Sequence, residues 1–211
     1  MKIKKLGHCC LVIEENGKKI MTDPGSWTVD EQVKEDNIDL VIITHEHGDH
    51  IHIESLKEII KKNPNIIIIT NEGVGKLLDE AKIKYEILTD KAAKDFGGVL
   101  IEAHECKHEE IFQEVGQVQN TGFFIGERLF YPGDAFYNPQ KEVDILALPV
   151  AGPWANVKDS INYALEIKPK ICFPVHDGMM KSFGANHRIP ALIFKKLGIK
   201  FTTLENGVEE F

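Results

Sequence analysis

Apolar positions along the chain switch between two rhythms. Residues 3–6 and 9–14 alternate like strands and run into Glu15-Asn16-Gly17-Lys18. Asn-Gly between two apolar runs predicts a tight hairpin, so residues 19–22 return as the next strand and stop at Asp23-Pro24-Gly25. Residues 29–36 read as a short helix capped by Ser26 or Thr28. Residues 40–43 are continuously apolar, as expected of a strand covered on both faces. A helical period follows over 53–62 and ends at Asn63-Pro64, then come a strand at 66–70, a helix from the Asn71 cap to about 81, and a strand at 84–88. The second half repeats the mixture. Strands are expected at 99–103, 122–125, 129–131, 145–149, 171–175 and 201–204, and helices at 157–167 and 190–197. Strands mixed with helices in both halves suit two sheets packed face to face with helices outside. No internal sequence repeat or low-complexity tract stands out.

The 211 residues suit one domain spanning 1–211, and no linker-like stretch divides them. With 43% hydrophobic and 27% charged residues, the composition is that of a folded globular chain rather than a disordered one. A net charge of −8 and two arginines, Arg128 and Arg188, make nucleic acid an unfavoured partner. No apolar run is long enough for membrane insertion, and Met1-Lys2-Ile3-Lys4-Lys5 lacks a signal-peptide core, so the expected location is cytoplasmic. Cys9, Cys10, Cys106 and Cys172 show no CxxC spacing and are expected to be core thiols or thiols beside a site.

The chemistry concentrates in Thr44-His45-Glu46-His47-Gly48-Asp49-His50, directly after the apolar run at 40–43. Imidazole nitrogens and carboxylate oxygens are typical zinc donors. Four donors on so short a loop do not comfortably serve one ion together with other ligands, and two ions about 3.5–4 Å apart resolve the crowding. The competing reading, a surface loop that merely happens to be histidine-rich, fits poorly with a buried strand delivering the chain into it.

This loop resembles the HxHxDH motif of the metallo-β-lactamase superfamily, whose fold is a four-layer αββα sandwich. His104 in Ile101-Glu102-Ala103-His104, Asp134 in Tyr131-Pro132-Gly133-Asp134 and His176 in Phe173-Pro174-Val175-His176 resemble the remaining ligands in family order. Gly7-His8, Thr22-Asp23-Pro24, Thr121-Gly122-Phe123 and Pro132-Gly133-Asp134 are similar to a short single-domain branch that includes hydrolases of the ascorbate-6-phosphate lactonase type. Two positions depart from that branch. Glu105-Cys106 stands where a serine pair is frequent, and Asp177 stands where an aromatic residue often follows the last histidine.

The resemblance implies that His45, His47 and His104 hold one metal, that Asp49, His50 and His176 hold the other, and that Asp134 bridges them. The cofactors would be two divalent ions, Zn2+ by donor type, with Mn2+, Ni2+ or Fe2+ also allowed. A hydroxide bridging the ions would attack a small-molecule lactone, ester or amide. Asp49 and Asp134 would be the catalytic carboxylates, with Asp49 able to orient the hydroxide and shuttle its proton. The alternative is a phosphodiesterase acting on a cyclic nucleotide, a nucleic-acid end or a phospholipid head group. A third reading keeps the fold and the metal but only binds or senses. Relatives of the lactonase type often associate, which also allows a homo-oligomer.

Among neighbouring candidates, His104 is preferred to His108, because a strand at 99–103 would deliver it while Lys107, Glu109 and Glu110 give His108 the look of a solvated loop. His8 and Asp23 are expected to orient ligands from behind. Asp177 is a candidate for accepting a proton or contacting substrate, and Lys181, His187 and Arg188, on or just after the Gly-rich stretch 178–186, are candidates for binding an anionic group of the substrate. Trp27 and Trp154 are candidates for walling the cleft, and His52 is read as starting a helix rather than as a ligand.

Overall fold

The computed structural model describes residues 1–204 and 207–211. Its first half builds β1 (Lys2–Gly7), β2 (Cys10–Glu15), β3 (Lys18–Thr22), α1 (Val29–Gln32), β4 (Leu40–Ile42), α2 (Ile53–Lys62), β5 (Ile67–Thr70), α3 (Glu72–Glu80) and β6 (Glu86–Ile87). The second half builds β7 (Ala93–Asp95), β8 (Leu100–Lys107), β9 (Gln119–Ile125), β10 (Leu129–Tyr131), β11 (Ile145–Pro149), α4 (Val157–Ile167), β12 (Ile171–Val175), α5 (Gly184–Leu197), β13 (Lys200–Phe201) and β14 (Val208–Glu210).

The Asn16-Gly17 hairpin forms as expected, with both residues at positive φ, 48° and 76°. That is the backbone a two-residue primed turn demands. Asn71 and Asn156 cap α3 and α4 by accepting from Val74 N, and from Lys158 N and Asp159 N. The helix expected at 29–36 is a single turn, and the Thr28 hydroxyl donates to Gln32 Oε1 instead of capping the helix backbone. The final helix starts at Gly184, six residues earlier than the sequence pattern suggests, and carries Pro190 inside it. The short edge strands β7 and β14 were not visible as apolar runs.

Two seven-stranded sheets face each other, ordered β14-β1-β2-β3-β4-β5-β6 and β7-β8-β9-β10-β11-β12-β13. Each sheet has the same succession of pairings, antiparallel for its first three junctions and parallel for its last three. The fold therefore repeats where the sequence does not.

Strand alternation divides the apolar residues between layers. Leu11, Ile13, Leu40, Ile42, Ile101, Ala103, Phe123, Ile145, Ala147 and Phe173 meet in the core between the sheets. Val12, Val41 and Ile43 point the other way and bury Leu56, Ile59, Val74 and Leu78 of α2 and α3. Phe124, Leu146 and Cys172 do the same for Ile161, Ala164 and Phe194 of α4 and α5. This is the expected αββα layering, and it explains why β4 and β11 read as unbroken apolar runs. No helix among the described residues is long and apolar enough to cross a membrane. All four cysteines are free, and three of them are buried.

Candidate metal centre

The ends of strands from both sheets converge at one edge of the sandwich. Thr44–His50 leaves β4, Asp134 follows β10, His176 follows β12 and His8 follows β1. Donors gather on two sides: His45, His47 and His108 on one, and His8, Cys9, His50 and His176 on the other, with Asp134 joining His45 and His50 between them and Asp49 beside His50 and His176. The Asp134 carboxylate sits between them. Its Oδ1 is 3.2 Å from His50 Nε2, and its Oδ2 is 2.8 Å from His176 Nε2, 3.3 Å from His108 Nε2 and 3.8 Å from His45 Nε2.

One expectation is corrected here: His108, not His104, joins His45 and His47. β8 runs on to Lys107, so His104 is mid-strand and not at its end. Alternation then fixes its side: Ile101 and Ala103 enter the inter-sheet core, and His104 faces the opposite layer. There it packs against Phe124 and Phe130, and its Nε2 lies 2.8 Å from Glu102 Oε1. The chain leaves the sheet after Lys107, which lets His108 swing into the cluster, where it is 2% exposed. The charged residues around His108 disguised this. The pairing of 104–107 with 119–122 carries β8 past His104, a reach that no local sequence pattern showed.

The imidazoles are held from behind. The Nδ1–H of His50 donates to Asp23 Oδ2 at 2.7 Å, that of His108 to the Glu109 carbonyl at 2.6 Å, and that of His176 to the Ala151 carbonyl at 2.7 Å. Carbonyls and an ionised carboxylate only accept, so each bond fixes the proton on Nδ1 and turns Nε2 toward Asp134. Asp23 is fully buried. It also accepts from Thr44 N, Thr44 Oγ1 and the Tyr131 hydroxyl at 2.7–2.8 Å. His8 uses the opposite tautomer. Gly178 N donates to its Nδ1 at 3.1 Å, so Nε2 carries the proton and donates to Asp49 Oδ2 at 3.1 Å. Asp23 thus stands behind His50, while His8 lies among the donors beside His50 and His176. His8 and Asp23 hold left-handed φ values of 48° and 38°, and His176 shares that region at 58°. Such strain concentrates at functional positions.

Gly25 explains how tightly the loop is braced. A Cβ there would lie 1.8 Å from the Asp49 carbonyl oxygen. Ser26 N donates to the Gly48 carbonyl at 2.8 Å, and His52 N to that of Pro24 at 3.0 Å. His52 caps α2 by accepting from Ser55 N, and is not a donor to the cluster.

The electrostatics differ across the cluster: burial opposes a charge on His50, but Asp134 and Asp23 outweigh it and hold that imidazole well above the usual histidine range. Burial, aided by the neighbouring His50, pulls His45 well below the usual histidine range, and burial with His108 lowers His47. Burial opposes the charge on Asp134, but His50, His176 and His45 outweigh it and hold the carboxyl well below its usual value. His8, His50 and His176 likewise overcome burial at Asp49. Among the described residues, His50 Nε2, His176 Nε2 and Asp134 Oδ1 are buried without a hydrogen-bond partner. Such atoms are rare in folded proteins and call for an explanation. Two imidazole nitrogens and a carboxylate oxygen aimed at one another are a donor set that a cation fits.

Two further expectations change. Asp177 and His187 are buried and hold each other, with His187 Nε2 2.9 Å from Asp177 Oδ2, while Lys5 Nζ binds both Asp177 oxygens at 2.6 and 2.7 Å. Buried and paired in this way, they clamp the backbone beyond His176. Lys181 and Arg188 are exposed on the segment around the start of α5. Trp27 is 48% exposed and stacks on His8, with ring centroids 4.6 Å apart. Trp154 is buried, 5.6 Å from His108 and 5.3 Å from His176 between centroids. A surface groove lies at the opposite end of the first sheet, beside Asn16, Gly17, Asp39 and Asn63, away from all these donors.

A two-sheet sandwich with a histidine-aspartate cluster at its strand ends defines a class. The match of residues 2–176 to the beta-lactamase superfamily domain places the chain in it: the protein belongs to the beta-lactamase superfamily. A UPF0173 metal-dependent hydrolase of Carboxydothermus hydrogenoformans is 28% identical, the alignment covering 83% of this chain and 84% of that one. A putative metal-dependent hydrolase of Parabacteroides distasonis superposes with a TM-score of 0.79 at 23% identity, over 95% of this chain and 91% of that one. Igni18, a metallo hydrolase of Ignicoccus hospitalis, gives a TM-score of 0.78 at 17% identity, over 100% and 98% of the two chains.

Proposed function

We propose that the protein is a metal-dependent hydrolase that holds two divalent ions and opens a lactone, ester or amide bond in a small molecule. His45, His47 and His108 would hold one ion, Asp49, His50 and His176 the other, with Asp134 shared. The observation that carries this reading is the buried Asp134 carboxylate, flanked by imidazole Nε2 atoms from both groups at 2.8–3.3 Å. The relatives described as metal-dependent hydrolases support the same class. A nitrogen-rich donor set suits zinc.

When bound, a pair of divalent ions supplies Lewis acidity and brings the pKa of water down toward neutrality. The chain's own residues divide the remaining work. Asp134, its side chain 2% exposed, is an anionic anchor for imidazoles from both sheets. Asp49, at 24%, is far more open to solvent and suited to take up a proton from water. The His8 Nε2–H fixes which Asp49 oxygen faces the cluster.

The test is to load purified protein with zinc or manganese, measure bound metal, and assay lactones, esters and amides with wild type and Asp134→Ala. The expected result is about two equivalents of metal and hydrolysis of at least one class, both lost in the variant. Equal inactivity of wild type and variant across the panel would overturn the reading. Cleavage of bis-p-nitrophenyl phosphate far above any ester would replace it with a phosphodiesterase.

A further inference from the structure

The turn after β11 supports the cluster from a direction the histidine motif does not reach. Gly152-Pro153-Trp154-Ala155 closes on itself through Ala155 N to the Gly152 carbonyl at 3.2 Å. Proline at the second position pre-sets that turn. It is pinned at both ends: Val150 N donates to the Val175 carbonyl at 3.1 Å, and Asn156 caps α4 immediately afterwards. Asn186 Nδ2 also donates to the Val150 carbonyl at 2.6 Å.

The turn delivers Trp154 to the centre of the site. Its indole Nε1–H donates to Asp134 Oδ2 at 3.2 Å. The ring touches His108 from one donor group and His176 from the other, and packs on Phe136. Gly152 makes room for it, because a Cβ there would sit 2.9 Å from the indole nitrogen. One carbonyl back, Ala151 fixes the His176 tautomer. A single rigid turn therefore orients both the shared carboxylate and a histidine of the second group.

We propose that Trp154 is a positioning residue for the metal centre. This rests on the two-ion reading above. Its N–H fixes the plane of the Asp134 carboxylate, so that Oδ1 meets His50 while Oδ2 faces His108 and His176. It also satisfies part of a buried anion while leaving lone pairs directed at the histidines. Outer partners of metal ligands carry a measurable share of affinity, typically about 10–100-fold.

Trp154→Phe keeps an aromatic ring in the turn and removes the donor with part of the indole. Expected are a metal-free protein that still unfolds cooperatively, at a lower thermal midpoint, and a zinc affinity, measured by chelator competition, about 10–100-fold weaker than wild type. Equal zinc affinity in the two proteins overturns the inference while leaving the two-ion reading intact. Wild type that binds no zinc overturns both. If Trp154→Phe fails to fold, the indole N–H signals of 15N-labelled wild type decide. One of the two should exchange slowly with solvent and move in Asp134→Asn, and two fast-exchanging indoles overturn the inference.

Discussion

His104 and His108 stand four positions apart and differ in what β8 lets each reach. His104 is committed to the outer layer by strand alternation, and His108 is released at the strand's end. Replacing His108 with Ala should therefore remove metal and lower hydrolysis by on the order of 100-fold or more, the upper range for residues merely supporting a ligand. His104→Ala should keep the wild-type metal content. Metal analysis of the two variants side by side checks this, and loss of metal in His104→Ala alone would reverse the assignment. The same lesson applies to Asp177 and His187. Their types and positions looked suited to substrate, but Lys5, distant in sequence, holds Asp177 inside the protein.

At the scale of elements, Asn71 couples a helix to the histidine loop. Its Oδ1 accepts from Val74 N to cap α3, while its Nδ2 donates to the Thr44 carbonyl at 2.8 Å and Thr121 Oγ1 at 3.1 Å. The Thr44 carbonyl keeps a second donor in Thr121 N. Asn71→Ala should thus cost a cap and only part of a buried hydrogen-bond network, about 2–3 kcal/mol in urea unfolding. A change below roughly 0.5 kcal/mol, the level of an ordinary surface substitution, would contradict this. Glu35 joins elements in another way. Lys4 of β1 and Lys19 of β3 each place Nζ 2.7 Å from one of its oxygens. Burial would raise the Glu35 carboxyl, but the two ammonium groups outweigh it and hold the pKa below the usual range. A depressed carboxyl stabilises the fold above its unfolded pKa and loses that contribution as the pH falls through the folded value. Wild type should exceed Glu35→Gln by about 1 kcal/mol near neutrality, and the gap should close on acidification. Unfolding curves at neutral and acidic pH measure it, and a gap that widens in acid would be wrong in sign.

For the whole molecule, the site is a junction between halves: β3 and β4 belong to one sheet, and β8, β10 and β12 to the other. Ions held there would tie the sheets together and add stability only to the folded state. At metal concentrations near 100 times the dissociation constant, that is about 2.7 kcal/mol. For a chain of this size, chelation should lower the melting temperature by roughly 5–10 °C. Thermal unfolding with and without a chelator, followed by zinc restoration, tests it, and an unmoved midpoint would show that the cluster does not bridge the sheets through metal.

The sequence by itself determined the class of architecture and most of the centre. Apolar runs at 40–43, 145–149 and 171–175 announce strands covered on both faces, and donors spaced through Thr44–His50 announce metal chemistry, because both signals are local. Asp134 and His176 were picked out by resemblance to the family's ligands, and the structure places each after a short apolar strand. What only the tertiary structure decided depends on contacts between distant segments. The matching topology of the two sheets lies in strand direction and order, which no residue identity encodes. The reach of β8, which selects His108, is set by pairing with β9. The placing of Trp154 on Asp134 is set by a turn whose conformation depends on β12 and α4, and the burial of Asp177 is set by Lys5 from the first strand.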